Sequence, residues 1–452
     1  MTAIFARRAR LPSGWAHDVA VAIDRGRIAT IAAGAAAPPG ACRVDTLLPA
    51  LSNLHSHSFQ RAMAGMTEHR SAGRESFWTW RDLMYRFAQT IEPEEVEAIA
   101  ALTFMEMLEA GYAAVGEFHY LHHQKDGTAY AAPDELSQRI FAAAASAGIG
   151  LTHLPVLYVY GGAGEKPLAG GQARFGNDVD RFNRLVDAAA RNLPTSDARI
   201  GIAPHSLRAT SPAVLEEVLS AHAAGPVHIH VAEQPKEVDD VKAWLGARPV
   251  EWLLSNCGVD ERWCAVHATH MTDEETHALA KSGAVAGLCP ITEANLGDGV
   301  FNGAVYLSAG GSFGVGSDSN VRISLTEELR MLEYSQRLRD LSRNVLAAEG
   351  AGVGETIYLG AAGGGARALG REAGAIEEGL LADLVAVDAS SPALCALDEN
   401  RLLDGLCFAA DDSVVTDVWS AGRQVVSAGR HGAREAIAAR YAKAIAALKA
   451  RA

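Results

Sequence analysis

Apolar positions along the chain change period twice. Residues 1 to 46 alternate with a period of two: Ala3–Ala9, His17–Ile23 and, after an Asp24-Arg25-Gly26 turn, Arg27–Ala32 each read as a strand with one face buried. From residue 47 the pattern becomes short, continuous apolar runs separated by helical periodicity, which predicts strands buried on both faces and joined by helices. The runs are Leu47–His57, Tyr112–Tyr120, Ile149–Tyr160, Ala198–His205, Pro226–Glu233, Trp263–Thr269, Ala284–Pro290 and Ser312–Asp318. Eight such strands predict an α/β fold, a closed (β/α)8 TIM-type barrel. The first predicted helix, Glu92–Ala110, opens on Pro93 and glutamates and closes on Gly111. Before it lies a long loop, Ser58–Thr90, of a length that suggests function. After helical stretches at Ser324–Leu346 and Glu355–Leu369, strands return at Leu380–Val387 and Val414–Ser427. The expected division is a barrel over residues 47–375 and a small β-sandwich domain built from residues 1–46 and 376–452. The alanine-rich tail, Ala433–Ala452, reads as a helix packed on the body or on a second subunit.

A barrel of this kind carries its chemistry at the C-terminal ends of its strands. The first run ends in His55-Ser56-His57, and side chains two apart on a strand point to one side, so both histidines can reach a single ion. The fifth run carries His228, His230 and, three residues on, Glu233. His230, nearer the strand end, is the candidate third ligand; His228 reads as a packed histidine. The sixth run ends in His267, with His270 beyond it in a loop, and the eighth ends in Asp318. Singly, each has a plain structural reading as a loop histidine, a core histidine or a helix cap. Together, His-x-His, His-x-x-Glu, His and Asp at strands one, five, six and eight predict a metal site.

That set of motifs resembles the amidohydrolase superfamily over nearly the whole chain, and Leu380-Leu381-Ala382-Asp383-Leu384-Val385 resembles the superfamily's return to its small β domain. Dinuclear members carry a modified lysine at the fourth strand end; here Ala203-Pro204-His205-Ser206-Leu207-Arg208 has none. The resemblance is therefore to the mononuclear deaminase branch. It implies His55, His57, His230 and Asp318 around one ion per subunit, zinc, with iron(II) as the alternative. Such an ion lowers the pKa of water from ~16 toward ~7. Glu233 would then move the proton to a leaving nitrogen, His267 would stabilise developing charge, and Asp318 would share the proton transfer. The target would be a carbon–nitrogen centre of amidine or cyclic amidine type.

Within the branch, Asn53 to Gly65, Phe77-Trp78-Thr79-Trp80-Arg81, Glu117-Phe118-His119-Tyr120 and Ala203 to Arg208 resemble the formimidoylglutamate deiminases of histidine degradation. Members of that family convert N-formimino-L-glutamate to N-formyl-L-glutamate and ammonia. The resemblance implies that Arg81, Tyr120 and Arg208 hold the two substrate carboxylates and that Gln60 and His205 orient the formimino and amide end. The chemistry agrees, because forked guanidinium donors suit a small-molecule dicarboxylate. Trp78 and Trp80 read as packing residues. Two alternatives stay open: a deaminase of cyclic amidines such as cytosine or guanine, and a barrel without catalysis that serves as a binding subunit. Residue identities alone do not decide which carbon–nitrogen bond breaks.

Charge narrows the partners. A formal charge of −14 disfavours a sequence-independent grip on nucleic acid or an anionic membrane. No apolar run approaches a membrane span, and Arg7, Arg8 and Arg10 are followed by Trp15, His17 and Asp18 rather than by a leader core, so the expected setting is the cytoplasm. The six cysteines, Cys42, Cys257, Cys264, Cys289, Cys395 and Cys407, form no close pairs and read as reduced core residues. The glycine-rich Gly161–Gly171 loop lacks phosphate-binding spacing. Resemblance and the frequency of twofold assemblies suggest a homodimer.

Overall fold

The computed structural model describes residues 2–70 and 76–451. Its barrel strands are Leu51–Ser56, Tyr112–His119, Gly150–Leu157, a fourth in two pieces (Arg199–Ile200 and Ala203–Pro204), Val227–Val231, Trp263–His267, Val285–Leu288 and Ser312–Val315. Every pairing among them is parallel. Two joins close the ring: Ile202 with Val227 and Ser206 with His230 link the fourth strand to the fifth, and Ser56 with Asp318 links the eighth to the first. At the second join, a Cβ on Gly316 would stand 2.7 Å from both the backbone nitrogen and oxygen of His55, so only glycine lets the strands meet there.

The barrel is packed rather than hollow. Leu54, Ala114, Cys264, Val266, Val285 and Leu369 form one buried cluster. Thr152 Oγ1 donates to the Leu369 carbonyl (2.8 Å) and His228 Nε2 donates to that of Ala368 (2.8 Å), so the helix Val353–Ala368 ends beneath the strands, at the floor. His228 is thus a packed, neutral histidine; burial pushes its pKa down to about 4.

The small domain draws on both ends of the chain. In one sandwich-like sheet, Arg430–His431, Arg423–Ser427, Val415–Ser420 and Leu384–Val387 adjoin Cys42–Pro49, Thr2–Leu11, Gly14–Asp24 and Arg27–Ala32, in that order. The halves meet where Leu384–Val387 runs antiparallel to Thr46–Pro49. Ile4, Val19, Val21, Leu47, Leu384 and Trp419 share its core. Arg371 pins this domain to the barrel: its Nη2 donates to Asp383 (3.0 Å) and to Asp197 (3.2 Å).

Several expectations need correction. The apolar run Leu47–His57 is two strands, Cys42–Pro49 in the small sheet and Leu51–Ser56 in the barrel. Residue 46 lies within the first of these strands, and Leu47 and Leu51 are buried in different cores with no polar residue between them. The expected loop Ser58–Thr90 contains a 3-10 turn, Ser58–Met63, and a helix, Phe77–Ala88, with residues 71–75 outside the described residues. That helix starts on a Ser76/Thr79 capping box and buries Phe77, Met84 and Ala88. A helix at Glu399–Phe408 lies outside the predicted elements and packs on Val353–Ala368. The tail helix is Arg434–Arg451, while Ala452 lies outside the described residues. It packs on Pro93–Glu109, with Arg451 2.6 Å from Glu95 and Arg440 3.5 Å from Glu97. All six cysteines are free, but Cys395 is exposed and Cys42 and Cys257 are half-buried, so only three are core residues. Among the described residues, no helix is long and apolar enough to cross a membrane.

Candidate metal centre and its cavity

Three imidazole nitrogens and one carboxylate converge at the mouth of the barrel. His55 Nε2 lies 3.2 Å from His57 Nε2 and 3.1 Å from His230 Nε2, and Asp318 Oδ1 lies 3.4 Å and 3.2 Å from the first two. All four donors fall within 4.8 Å of one another. His57 Nδ1 donates to the Phe118 carbonyl (2.9 Å) and His230 Nδ1 to that of His205 (3.1 Å). These bonds put the ring protons on Nδ1 and turn both Nε2 lone pairs toward the cluster. Burial, reinforced by neighbouring imidazoles, holds His230 well below the usual histidine range, and burial lowers His55 to about 3. Neutral rings with facing lone pairs repel one another unless a cation sits among them. Three nitrogens and one carboxylate are a donor set that suits such an ion. Asp318 stays ionised, because its hydrogen bond to His55 and the nearby imidazoles outweigh the cost of burial.

The join between strands positions this set. Asp318 N donates to the His55 carbonyl and His57 N to that of Asp318, each at 2.9 Å. Around them, Asn53 Nδ2 donates to Ser317 Oγ (2.6 Å), Ser317 Oγ to Asn320 Oδ1 (2.6 Å), and Asn320 Nδ2 to Ser56 Oγ (3.1 Å). Backbone strain collects at the same strand ends: Ala232, His267, Ala268, Asp318 and Asn320 all have positive φ.

Beside the donors stand the two expected proton-handling residues. His267 Nε2 lies 3.7 Å from Glu233 Oε1 and 3.9 Å from Asp318 Oδ2, and it has no hydrogen-bond partner. Its Nδ1 faces Glu293 Oε1 at 3.2 Å. Burial opposes charge on this ring, but Glu233, Glu293 and Asp318 outweigh it and raise the pKa to about 10. Burial raises Glu233 to about 7, against the opposing pull of His267 and Arg208. A carboxylate near pH 7 can both take and return a proton.

A cavity of about 220 Å³ opens from this cluster. Each residue expected from the sequence to hold substrate lines it: Gln60, Arg81, Tyr120, His205 and Arg208. Gln60 Nε2 donates to Tyr120 Oη (2.5 Å), which leaves Gln60 Oε1 buried and unpartnered. His205 Nδ1 lies 3.1 Å from Ser206 Oγ, and burial next to Arg208 keeps its ring neutral. Arg208 Nη2 is 3.5 Å from Glu233 and 3.9 Å from Glu237, while its Nε and Nη2 make no hydrogen bond. Arg81 Nε is likewise buried without a partner. His270 is a loop residue that donates to the Asp298 carbonyl (2.7 Å).

Sequence reasoning passed over Tyr85, Tyr158, Lys236, Glu293 and the Asn53–Ser317–Asn320 chain. Tyr158 was accessible to the strand-end rule, since it follows the third strand directly, whereas Lys236 lies in the first turn of the helix after the fifth. Trp78 and Trp80, read as packing residues, line the cavity wall. A second donor group, His267, Cys289 and Asp318, shares Asp318 with the first. Burial holds the Cys289 thiol protonated, which makes it the poorer set.

Comparison with known proteins adds findings of three kinds. A family model described as "Amidohydrolase family" matches residues 46–425, and one described as "Formimidoylglutamate deiminase HutF, N-terminal domain" matches residues 1–45. The chain is 50% identical to a formimidoylglutamate deiminase from Pseudomonas aeruginosa, covering 96% of this chain and 97% of that one. It is 28% identical to a 5-methylthioadenosine/S-adenosylhomocysteine deaminase from Natronomonas pharaonis, over 84% and 81% of the two chains. The crystal structure of an amidohydrolase from Brucella melitensis superimposes with a TM-score of 0.95 at 48% identity, covering 99% of this chain and 100% of that one.

Proposed function

We infer that this chain, which belongs to the amidohydrolase family, hydrolyses N-formimino-L-glutamate to N-formyl-L-glutamate and ammonia. The observation that carries the reading is the pair of guanidiniums, Arg81 and Arg208, whose buried N–H donors lack partners on the wall of a cavity that ends at the cluster of His57, His230 and Asp318. Buried guanidinium N–H donors without hydrogen-bond partners call for acceptors, and a dicarboxylate supplies them at both ends. A cyclic amidine offers no carboxylate, and the relative that is 50% identical over nearly the whole of both chains is a formimidoylglutamate deiminase rather than a barrel without catalysis.

In this reading His55, His57, His230 and Asp318 hold one zinc ion, with iron(II) as the alternative. When bound, the ion supplies Lewis acidity that lowers the pKa of water from ~16 toward ~7. The remaining steps belong to the chain. Arg81 and Arg208, with Tyr120, grip the carboxylates, while Gln60 and His205 orient the formimino end. Glu233 takes a proton from the attacking water and returns it to the terminal nitrogen. His267 turns Nε2–H toward the charge that develops at the attacked carbon, held in that aspect by Glu293 on Nδ1. Asp318, 3.9 Å from His267, shares the proton transfer. The carbon–nitrogen double bond gives way to a carbonyl, water supplies the oxygen, and ammonia leaves with the amino-acid nitrogen still acylated. The same reading takes the enzyme to be a cytoplasmic homodimer acting in histidine degradation.

The test is mass-spectrometric product analysis of metal-replete protein with N-formimino-L-glutamate, beside Glu233→Gln. N-formylglutamate and ammonia from the wild type alone are expected. Formamide and glutamate would overturn the deiminase assignment. No turnover despite bound metal would overturn the substrate.

A further inference from the structure

Arginines that bind a substrate's carboxylates face a design conflict. Carboxylates of the protein could orient them, but each would neutralise the guanidinium and compete with the substrate for its donors. Two free guanidiniums in one cavity, on the other hand, repel each other and lose side-chain order. The aromatic residues of the helix Phe77–Ala88 offer a way out. Trp78 lies under the Arg81 guanidinium at 4.6 Å from ring centroid to Cζ, and under that of Arg208 at 5.8 Å. Lys236 Nζ also lies 5.8 Å from the same ring. Among the described residues Arg81 has no carboxylate within ion-pair distance; Arg208 Nη2 lies 3.5 Å from Glu233 and 3.9 Å from Glu237, yet neither approach is a hydrogen bond, and its Nε and Nη2 stay free.

We propose that Trp78 is a positioning residue for dicarboxylate recognition: its indole face holds Arg81 and Arg208 in place by cation–π attraction while leaving their N–H donors free for substrate. The proposal deepens the reading above and rests on its dicarboxylate cavity. An indole attracts a cation through its face and accepts no N–H bond there that substrate needs. It also offsets the mutual repulsion of the two cations without changing their charge. The arrangement gives Trp78 a part in affinity rather than in chemistry, because what its ring faces are the guanidiniums assigned to the carboxylates.

The test replaces Trp78 site-specifically with tryptophan carrying one, two and three ring fluorines, in the full-length, metal-loaded protein. Fluorination withdraws density from the ring face with little change in shape. The probe is glutarate, an unreactive dicarboxylate, scored by its inhibition constant, with KM and kcat for N-formimino-L-glutamate measured in parallel. The inhibition constant and KM are expected to rise stepwise, to about tenfold at three fluorines, with kcat within about twofold of wild type. Trp78→Leu is expected to match or exceed that loss, with Trp78→Phe recovering part of it. If glutarate binds the wild type and every fluorinated protein equally, the inference is overturned and the dicarboxylate reading stands. If glutarate does not bind the wild type and N-formimino-L-glutamate is not turned over, the dicarboxylate reading fails and takes the inference with it.

Discussion

Arg208→Gln should change two observables for separate reasons. Its guanidinium lines the cavity, so kcat/KM falls; it also stands 3.5 Å from Glu233, where it stabilises the ionised carboxylate. Glu233 must be ionised to accept a proton, so kcat/KM falls as pH drops through its pKa, which burial raises to about 7 despite the opposing pull of His267 and Arg208. Removing the cation removes part of that pull, and the pKa must rise. A unit charge at 3.5 Å contributes about 1 kcal/mol at the dielectric constant of water and about 5 at an effective value near 20. Arg208 and Glu233 are both buried, so the lower figure is a floor; at 1.36 kcal/mol per unit it corresponds to about one pH unit. The assay is kcat/KM against pH for the wild type, Arg208→Gln and Arg81→Gln, each saturated with metal. The acid limb of Arg208→Gln is expected about one unit or more above that of the wild type. Arg81 has no carboxylate within ion-pair distance among the described residues, so Arg81→Gln should lose affinity with its limb in place. A limb in Arg208→Gln within about 0.3 unit of the wild type would refute the assignment of Glu233 as the base that Arg208 tunes.

Three further outcomes follow from the geometry. Adding a divalent ion to chelator-treated protein should raise the melting temperature, because the proposed site, His55, His57, His230 and Asp318, is assembled only in the folded state; His230→Ala should abolish the shift in differential scanning fluorimetry. Gly316→Ala should lower stability by about 1–3 kcal/mol and reduce bound metal measured by mass spectrometry, since its Cβ would stand 2.7 Å from the His55 backbone. Arg371→Met should cost about 3–5 kcal/mol in denaturant unfolding while leaving KM unchanged, because it leaves the buried Asp383 carboxylate without its cation and Asp197 with Arg423 alone, in a joint whose residues do not line the cavity.

Much of this enzyme is legible locally. Strand ends are marked by where an apolar run stops, and a barrel aims whatever stands there into one mouth; hence His55, His57, His230, Glu233, His267 and Asp318 could be placed together from the chain alone. His228 could be set aside by the same rule, since it lies one strand repeat deeper. Periodicity failed where one run served two cores, at Leu47–His57, and where an aromatic-rich segment hid a helix, at Phe77–Ala88. The sequence by itself determined the repeating βα order, the strands at both ends of the chain and the candidate metal donors, because each depends on spacing within a few residues. Only the tertiary structure decided which side chains hold those donors still and what the cavity wall presents. Asn53 meets Ser317 across 264 residues, Glu293 meets His267 across 26, and Trp78 reaches Arg208 from the helix Phe77–Ala88. Such contacts leave no periodic trace in the chain, because they are set by the closure of the barrel and not by the geometry of any one element.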